Sequence, residues 1–133
     1  MSSLKTTPYA ITTTPDLGFA EAVARVREEL AAEGFGVLTE IDVQATLEHK
    51  LGVHGEPYLI LGACNPPLAH QGLGIEPDLG VLLPCNVVVR ADGDAVRVSA
   101  MEPQAAMELA ANPALAPLAA EAHDRLERAL SRL

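Results

Sequence analysis

The sequence predicts an α+β fold in which two long helices cover one face of a single, mostly antiparallel sheet of about five strands. Two stretches, near residues 19–30 and 118–133, place apolar residues at helical spacing, so each has one apolar stripe that needs a surface to cover. Between them lie short segments rich in apolar and β-branched residues, separated by Gly, Pro and Asp. An Asp-Gly turn between the last two segments indicates a hairpin and hence antiparallel pairing.

The first strand and the first long helix are predicted between residues 9 and 34. Tyr9–Thr13 is rich in β-branched residues and predicts a strand. Thr14–Asp16 contains a capping hydroxyl, a proline and an acid, which is typical of a helix start, and Gly34 is typical of a helix end. The helix between these signals has its apolar stripe at Phe19, Val23, Val26 and Leu30.

Two further strands and a short helix are predicted up to residue 64. Phe35–Ile41 alternates as a strand does, and Asp42 and Gly52 then begin and end a short helix. Pro57–Cys64 is an almost continuous apolar run, which predicts a strand that is covered on both faces.

A short helical insertion and a hairpin are predicted next. Asn65 begins the insertion, and Gly72 and Gly74 are expected to stop it. Cys85–Arg90 and Ala95–Met101 are the two strands of the hairpin.

The last part of the chain is predicted to be helical. A short helix is expected over residues 103–111, and Pro113 and Pro117 delay the start of the final long helix. Its stripe consists of Leu118, Ala122, Leu126, Ala129 and Leu133. The predicted order is therefore β-α-β-β-β-β-α with short helical insertions.

Composition limits the classes of protein that need to be considered. The 133 residues fit a single domain spanning 1–133, and 49% hydrophobic residues suffice for a packed core. A formal net charge of −9 repels phosphate backbones and anionic lipids, so we expect neither nucleic acid nor a membrane as a partner. The apolar runs are too short to span a bilayer, and no secretory apolar segment follows Met1–Lys5, so a cytoplasmic location is expected.

Three segments carry a recognisable pattern: Gly34–Asp42, Pro57–Pro66 and Leu83–Val89. In this order they resemble the domain of unknown function family 302, over roughly residues 9–103, with the C-terminal helix beyond. The resemblance implies a sheet of the same β-α-β-β-β-β-α order, similar to the TATA-binding-protein-like architecture, and a homodimer. It implies no activity, and DNA binding is not carried over, because function resides in sites rather than in folds.

Cys64 is the first candidate for a functional side chain. It ends a strand immediately before the helix start at Asn65, where the positive end of a helix dipole favours a thiolate. Cys85 begins the next strand, and in an antiparallel pair the end of one strand lies beside the start of its neighbour. We therefore expect Cys64 and Cys85 at one end of the sheet, with His70 in the following helix as a third ligand or a base.

These residues allow alternative interpretations. Cys64, Asn65, Cys85 and His70 are candidates for a small-molecule site, and Cys64, Cys85 and His70 for a soft metal such as zinc or for a redox site. A single pair of distant cysteines is a weak metal signal, and free cysteine is commonly a small buried apolar residue, so core thiols are favoured and no cofactor is predicted. A surface position is also favoured for His70, because one histidine and two cysteines do not complete a tetrahedral site. The other histidines, predicted to lie on the solvated surface, are His49, His54 and His123.

No motif of a large enzyme class occurs, neither a dinucleotide or phosphate loop nor a nucleophile elbow nor a metalloprotease helix, so catalysis is not favoured. The favoured function is a small-ligand binding or regulatory module, with a cleft between the long helices and the insertions around residues 64–84. The alternatives are a thiol-based metal or redox site and a structural homodimer that acts through partner proteins.

Overall fold

The structure, a computed structural model, describes residues 4–133. Over that range the strands are β1 (Lys5–Thr6), β2 (Ala10–Thr13), β3 (Gly36–Asp42), β4 (Tyr58–Cys64), β5 (Cys85–Asp92) and β6 (Ala95–Met101). The helices are α1 (Phe19–Ala32), α2 (Val43–Leu51), α3 (Pro66–Ile75), α4 (Pro103–Glu108) and α5 (Ala116–Ser131), with 3₁₀ segments at Pro77–Leu82 and Pro113–Leu115. None of these helices is long and apolar enough to cross a membrane.

The strands form one sheet in the order β1-β2-β6-β5-β4-β3, and every neighbouring pair is antiparallel. The predicted hairpin joins β5 to β6 through a two-residue loop, in which Gly93 has a φ of 61° that favours glycine. The sheet has one strand more than expected, because the two residues of β1 are too few to show a periodicity.

The core lies between one face of this sheet and the two long helices. The sheet contributes Ile11, Leu59, Leu61, Ala63, Val87, Val89, Val98 and Ala100. The helices α1 and α5 contribute Ala22, Val26, Leu30, Leu126, Ala129 and Leu130. Burial of each leucine or valine stabilises the fold by about 1.5–3 kcal/mol. The predicted α+β fold, with both long helices on one face of an antiparallel sheet, is confirmed.

The end of α1 is formed as predicted, but its start is not. Gly34 has a φ of 83°, its N–H donates to Ala31, and the N–H of Phe35 donates back to Leu30 at 2.9 Å, which satisfies the last carbonyls of the helix. The helix begins at Phe19 rather than at Thr14, and residues 14–18 between them are not helical. Pro15 is buried there, so tertiary packing overrides the local start signal.

Two more predictions are corrected by packing. α3 continues through Gly72 and Gly74 to residue 75, because Gly72 lies against the 3₁₀ segment, where a Cβ would come within 2.7 Å of Leu79 Cδ2. The second face of β4 is covered only in part: Leu59 and Leu61 are buried towards the core, whereas Ile60 on the other face is half-buried, and the short helix α2 contacts the strand.

A cluster of charged side chains, the Glu33 cluster, joins the end of α1 to α5. It consists of Glu33, Arg125, Arg128 and Arg132. Glu33 accepts hydrogen bonds from Arg128 and Arg132 at 3.0 Å, and its backbone carbonyl accepts one from Arg125 at 3.0 Å. The hydrogen bond from Arg128, helped by that from Arg132, lowers the pKa of Glu33 below its ordinary value of 4.5 against the opposing effect of burial.

We expect Glu33→Gln to lower the Tm by several degrees at about pH 7, because Arg128 and Arg132 lose a charged acceptor. A carboxyl group whose pKa is lowered in the folded state stabilises the fold above its ordinary pKa, and this stabilisation is lost as the pH falls through the folded pKa. The difference in Tm from the wild type, measured by circular dichroism, should therefore shrink towards about pH 3.

Glu28→Gln, at an exposed position of α1, is the matched control and should leave the Tm unchanged at both pH values. A Tm difference for Glu33→Gln that does not depend on pH would contradict this role of the carboxylate.

Candidate functional site

An apolar cavity of about 390 Å³ lies at the end of the sheet where β4 stops and β5 begins. Its walls come from α3, the 3₁₀ segment Pro77–Leu82, α4 and the first half of α5. The largest apolar side chains that line it include Phe35, Leu68, Leu73, Leu79, Met107 and Leu118. Ligand pockets commonly measure about 300–1,000 Å³ and are mainly apolar, so this cavity has the size and the chemistry of a binding site.

Small residues keep the space between these walls open. They occur on β4, α3, the 3₁₀ segment and α5: Ala63, Ala69, Gly72, Gly80, Ala119 and Ala122. At the rim, Gly62 lets Thr39 and Pro84 come close, since a Cβ at this position would clash with the Thr39 hydroxyl and lie 2.9 Å from Pro84 Cγ. A larger residue at Gly62 would therefore displace two residues that line the cavity.

Asn65 connects the cavity to the Glu33 cluster. It is 8% exposed, and its side-chain oxygen accepts a hydrogen bond from the Leu68 N–H at 3.3 Å, which caps α3 as predicted. Its amide nitrogen donates to the backbone carbonyl of Glu33 at 3.4 Å. The start of α3 is thus fixed to the end of α1, and both elements contribute to the position of the cavity wall.

Cys64 and Cys85 both line the cavity. β4 pairs with β5, and Cys85 lies opposite Ala63, so the predicted adjacency of the two strands is confirmed. Both thiols are free; Cys64 is half-buried and Cys85 is buried. Burial, followed by the neighbouring Cys64, raises the pKa of the Cys85 thiol to about 11, so this thiol is protonated at neutral pH.

His70 does not join the two cysteines. It is exposed on α3 and lies outside the set of residues that line the cavity. Within residues 4–133, no group of three or more His, Cys, Asp and Glu side chains is arranged to hold a metal ion. Of the four predicted site residues, the structure brings together Cys64, Asn65 and Cys85 and leaves His70 apart.

Comparison with known protein families shows the family to which the chain is related. The model of the family described as "Domain of unknown function DUF302" matches residues 10–133. The chain belongs to the DUF302 family. The crystal structure of an uncharacterized conserved DUF302 protein from Bacillus stearothermophilus matches with a TM-score of 0.87 and 32% sequence identity, over 92% of this chain and 96% of that chain. Among curated proteins, none matches the chain.

His123 of this DUF302 chain supports a wall of the cavity without lining it, a role that the sequence did not reveal. Its side chain is only 19% exposed, and Nδ1 lies 2.7 Å from Glu102, so the prediction of a solvated surface residue is wrong. Glu102 is itself buried and accepts hydrogen bonds from the N–H groups of Gln104 and Ala105, which cap α4. This pair ties α4 to α5, two of the elements that enclose the cavity. The sequence did contain one indication that His123 is partly buried: it directly follows Ala122 of the apolar stripe.

The two cysteines should differ in reactivity towards a thiol reagent such as Ellman's reagent. A pKa of about 11 in place of 9.0 lowers the thiolate fraction of Cys85 roughly a hundredfold at about pH 8, and burial restricts access further. We expect Cys85→Ser, which retains the half-buried Cys64, to react at least about tenfold faster than Cys64→Ser, which retains the buried Cys85. The Cys64→Ser change removes the smaller of the two causes of the raised pKa of Cys85, whereas burial, the larger cause, remains.

Both variants should react at the same rate in denaturant, which serves as the control. Equal rates in the native state would show that Cys85 is not buried in the wall of the cavity.

Proposed function

We propose that this DUF302 chain binds a small, neutral and largely apolar molecule in the cavity between α3, α5 and the end of the sheet. The observation that carries the proposal is the cavity of about 390 Å³, whose wall is built almost entirely from aliphatic, aromatic and thiol groups. A role as a ligand-binding or regulatory module, favoured from the sequence, is consistent with such a cavity.

The chemistry of the wall selects the class of ligand. None of the described residues that line the cavity is Lys, Arg, Asp, Glu or His. A charged ligand would lose its hydration without gaining a counter-charge, which disfavours carboxylates and amines alike. Thr39 and Asn65 supply the polar side chains other than thiols, and they suit a ligand with one or two hydrogen-bonding groups.

A thiol function at Cys64 and Cys85 is the second candidate, because both residues line the same cavity. It is less favoured, since the thiolate is the form that binds a metal or attacks a disulfide, and the raised pKa of Cys85 keeps that thiol protonated. Stoichiometric zinc in the purified protein would favour this candidate. The homodimer and the cytoplasmic location expected from the sequence remain predictions.

The proposal predicts that 1-octanol binds, and that octanoate and octylamine of the same chain length bind much more weakly. Octanol should raise the Tm in a thermal-shift experiment, and calorimetry should give a defined stoichiometry. Ala69→Leu, which fills the cavity from α3, should weaken octanol binding roughly tenfold or more.

Ala24→Leu makes the same change at an exposed position of α1 and is the matched control. No binding of octanol, or equal binding by the wild type and the Ala69→Leu variant, would refute the proposed site.

A further inference from the structure

The face of the sheet that points away from α1 and α5 has an unusual chemistry. We call it the open sheet face and define it by Lys5, Ile41, Ile60, Val88, Arg90 and Arg97. Within residues 4–133, none of the long helices packs on it. The short helix α2 contacts β4 and borders one end of this face, where Gln44 and Leu47 line a groove together with Arg90. Ile41 is 49% exposed, so part of an aliphatic surface is accessible.

The strand register arranges these side chains in two adjacent rows. In one row, Ile41 lies opposite Ile60, and Ile60 lies opposite Val88. In the next row, Arg90 lies directly opposite Arg97. Val88 and Arg90 are two residues apart on β5 and therefore share a face. The open sheet face thus presents an aliphatic row beside a pair of cations.

The cations of the open sheet face have fewer acceptors within the protein than the arginines of the helices. Five arginines on α1, on α5 or directly after α5 donate to acceptors within the protein: Arg25, Arg27, Arg125, Arg128 and Arg132. Among the described residues, neither Lys5 nor Arg97 makes an ion pair, and Arg90 reaches only Asp92, at 3.8 Å. Three of the four remaining cations therefore lie on this face, and Lys50 on α2 is the fourth.

The arrangement of Arg90 and Arg97 suits an anionic group from outside the chain. Like charges directly opposite each other destabilise an antiparallel pair, and a carboxylate placed between the two guanidinium groups removes this repulsion. Guanidinium groups also bind carboxylates through two parallel hydrogen bonds, which gives geometric selectivity.

A protein partner fits this face better than a second copy or a nucleic acid. A two-fold dimer through the open sheet face would set Lys5, Arg90 and Arg97 of one copy against the same surface of the other, where Asp92 is the nearby acid. A nucleic acid would be repelled by the net charge of −9 on the whole chain. A partner with only a few carboxylates meets the local positive charge without this repulsion.

We propose that the open sheet face is a docking surface for a protein partner that presents carboxylates beside aliphatic side chains. The carboxylates pair with Arg90 and Arg97, and the aliphatic side chains cover Ile41, Ile60 and Val88. The proposal is independent of the cavity, which lies at the end of the sheet.

The test uses a short fluorescein-labelled peptide in which leucine and glutamate alternate at every second position, with serine between them. One face of the extended peptide then carries both side-chain types. Fluorescence anisotropy should show binding that weakens with salt, and amide shifts in NMR spectra should map to β4, β5 and β6. Peptides with lysine in place of glutamate, or serine in place of leucine, should bind at least about tenfold more weakly.

The double variant Arg90→Gln/Arg97→Gln should weaken binding roughly tenfold or more while retaining the wild-type circular dichroism spectrum. Arg25→Gln/Arg27→Gln changes the net charge equally on the helix layer and should bind the peptide as the wild type does. Absence of binding, or equal binding by both double variants, would overturn the proposal. A dimer that sedimentation velocity shows for the wild type and not for Arg90→Gln/Arg97→Gln would also overturn it, because a second copy would then occupy the face.

Discussion

The structure depends on burial of the sheet from one side only. α1 and α5 cover the face that carries Leu61, Val87 and Ala100, and this single interface holds most of the apolar core. Shorter elements close the core where β4 ends and β5 begins, because α1 and α5 do not cover this end of the sheet completely. α3 and the 3₁₀ segment do so with small residues at their contacts, and the cavity lies where this cover meets α5.

Two polar clusters hold this cover in place. The Glu33 cluster joins α1 to α5, and Asn65 extends it to the start of α3. On the other side of the cavity, Glu102 and His123 join α4 to α5. Each of these buried polar groups has hydrogen-bond partners, so the clusters fix the walls without leaving unsatisfied groups beside an apolar space. The cavity is therefore bounded by walls with defined positions.

The sequence predicted the features that depend on local chemistry. The alternation in Ala95–Met101, the cap at Asn65 and the glycine after α1 each act within a few residues, and each is present. The features that were missed depend on contacts between distant segments. Gly72 stays helical because Leu79 packs on it, and His123 is half-buried where it lies within hydrogen-bond distance of Glu102, a residue on another element.

The candidate site, too, combines features that the sequence predicts with features that depend on packing between elements. Adjacency of Cys64 and Cys85 follows from antiparallel pairing of consecutive strands, which the hydrophobic pattern indicated. The exclusion of His70 depends on which side of α3 lines the cavity, and that is set by the packing of α3 against the 3₁₀ segment and α5. A periodicity argument on so short and apolar a helix does not distinguish its faces.

The elements at the end of the sheet surround an apolar space with fixed walls. A crystal of the protein under xenon pressure tests it most directly, since xenon enters apolar cavities without needing polar partners. We expect xenon density between α3 and α5 beside Cys85, with the backbone of α3 unmoved. Side chains of α3 and α5 filling that volume, with no xenon bound there, would contradict it.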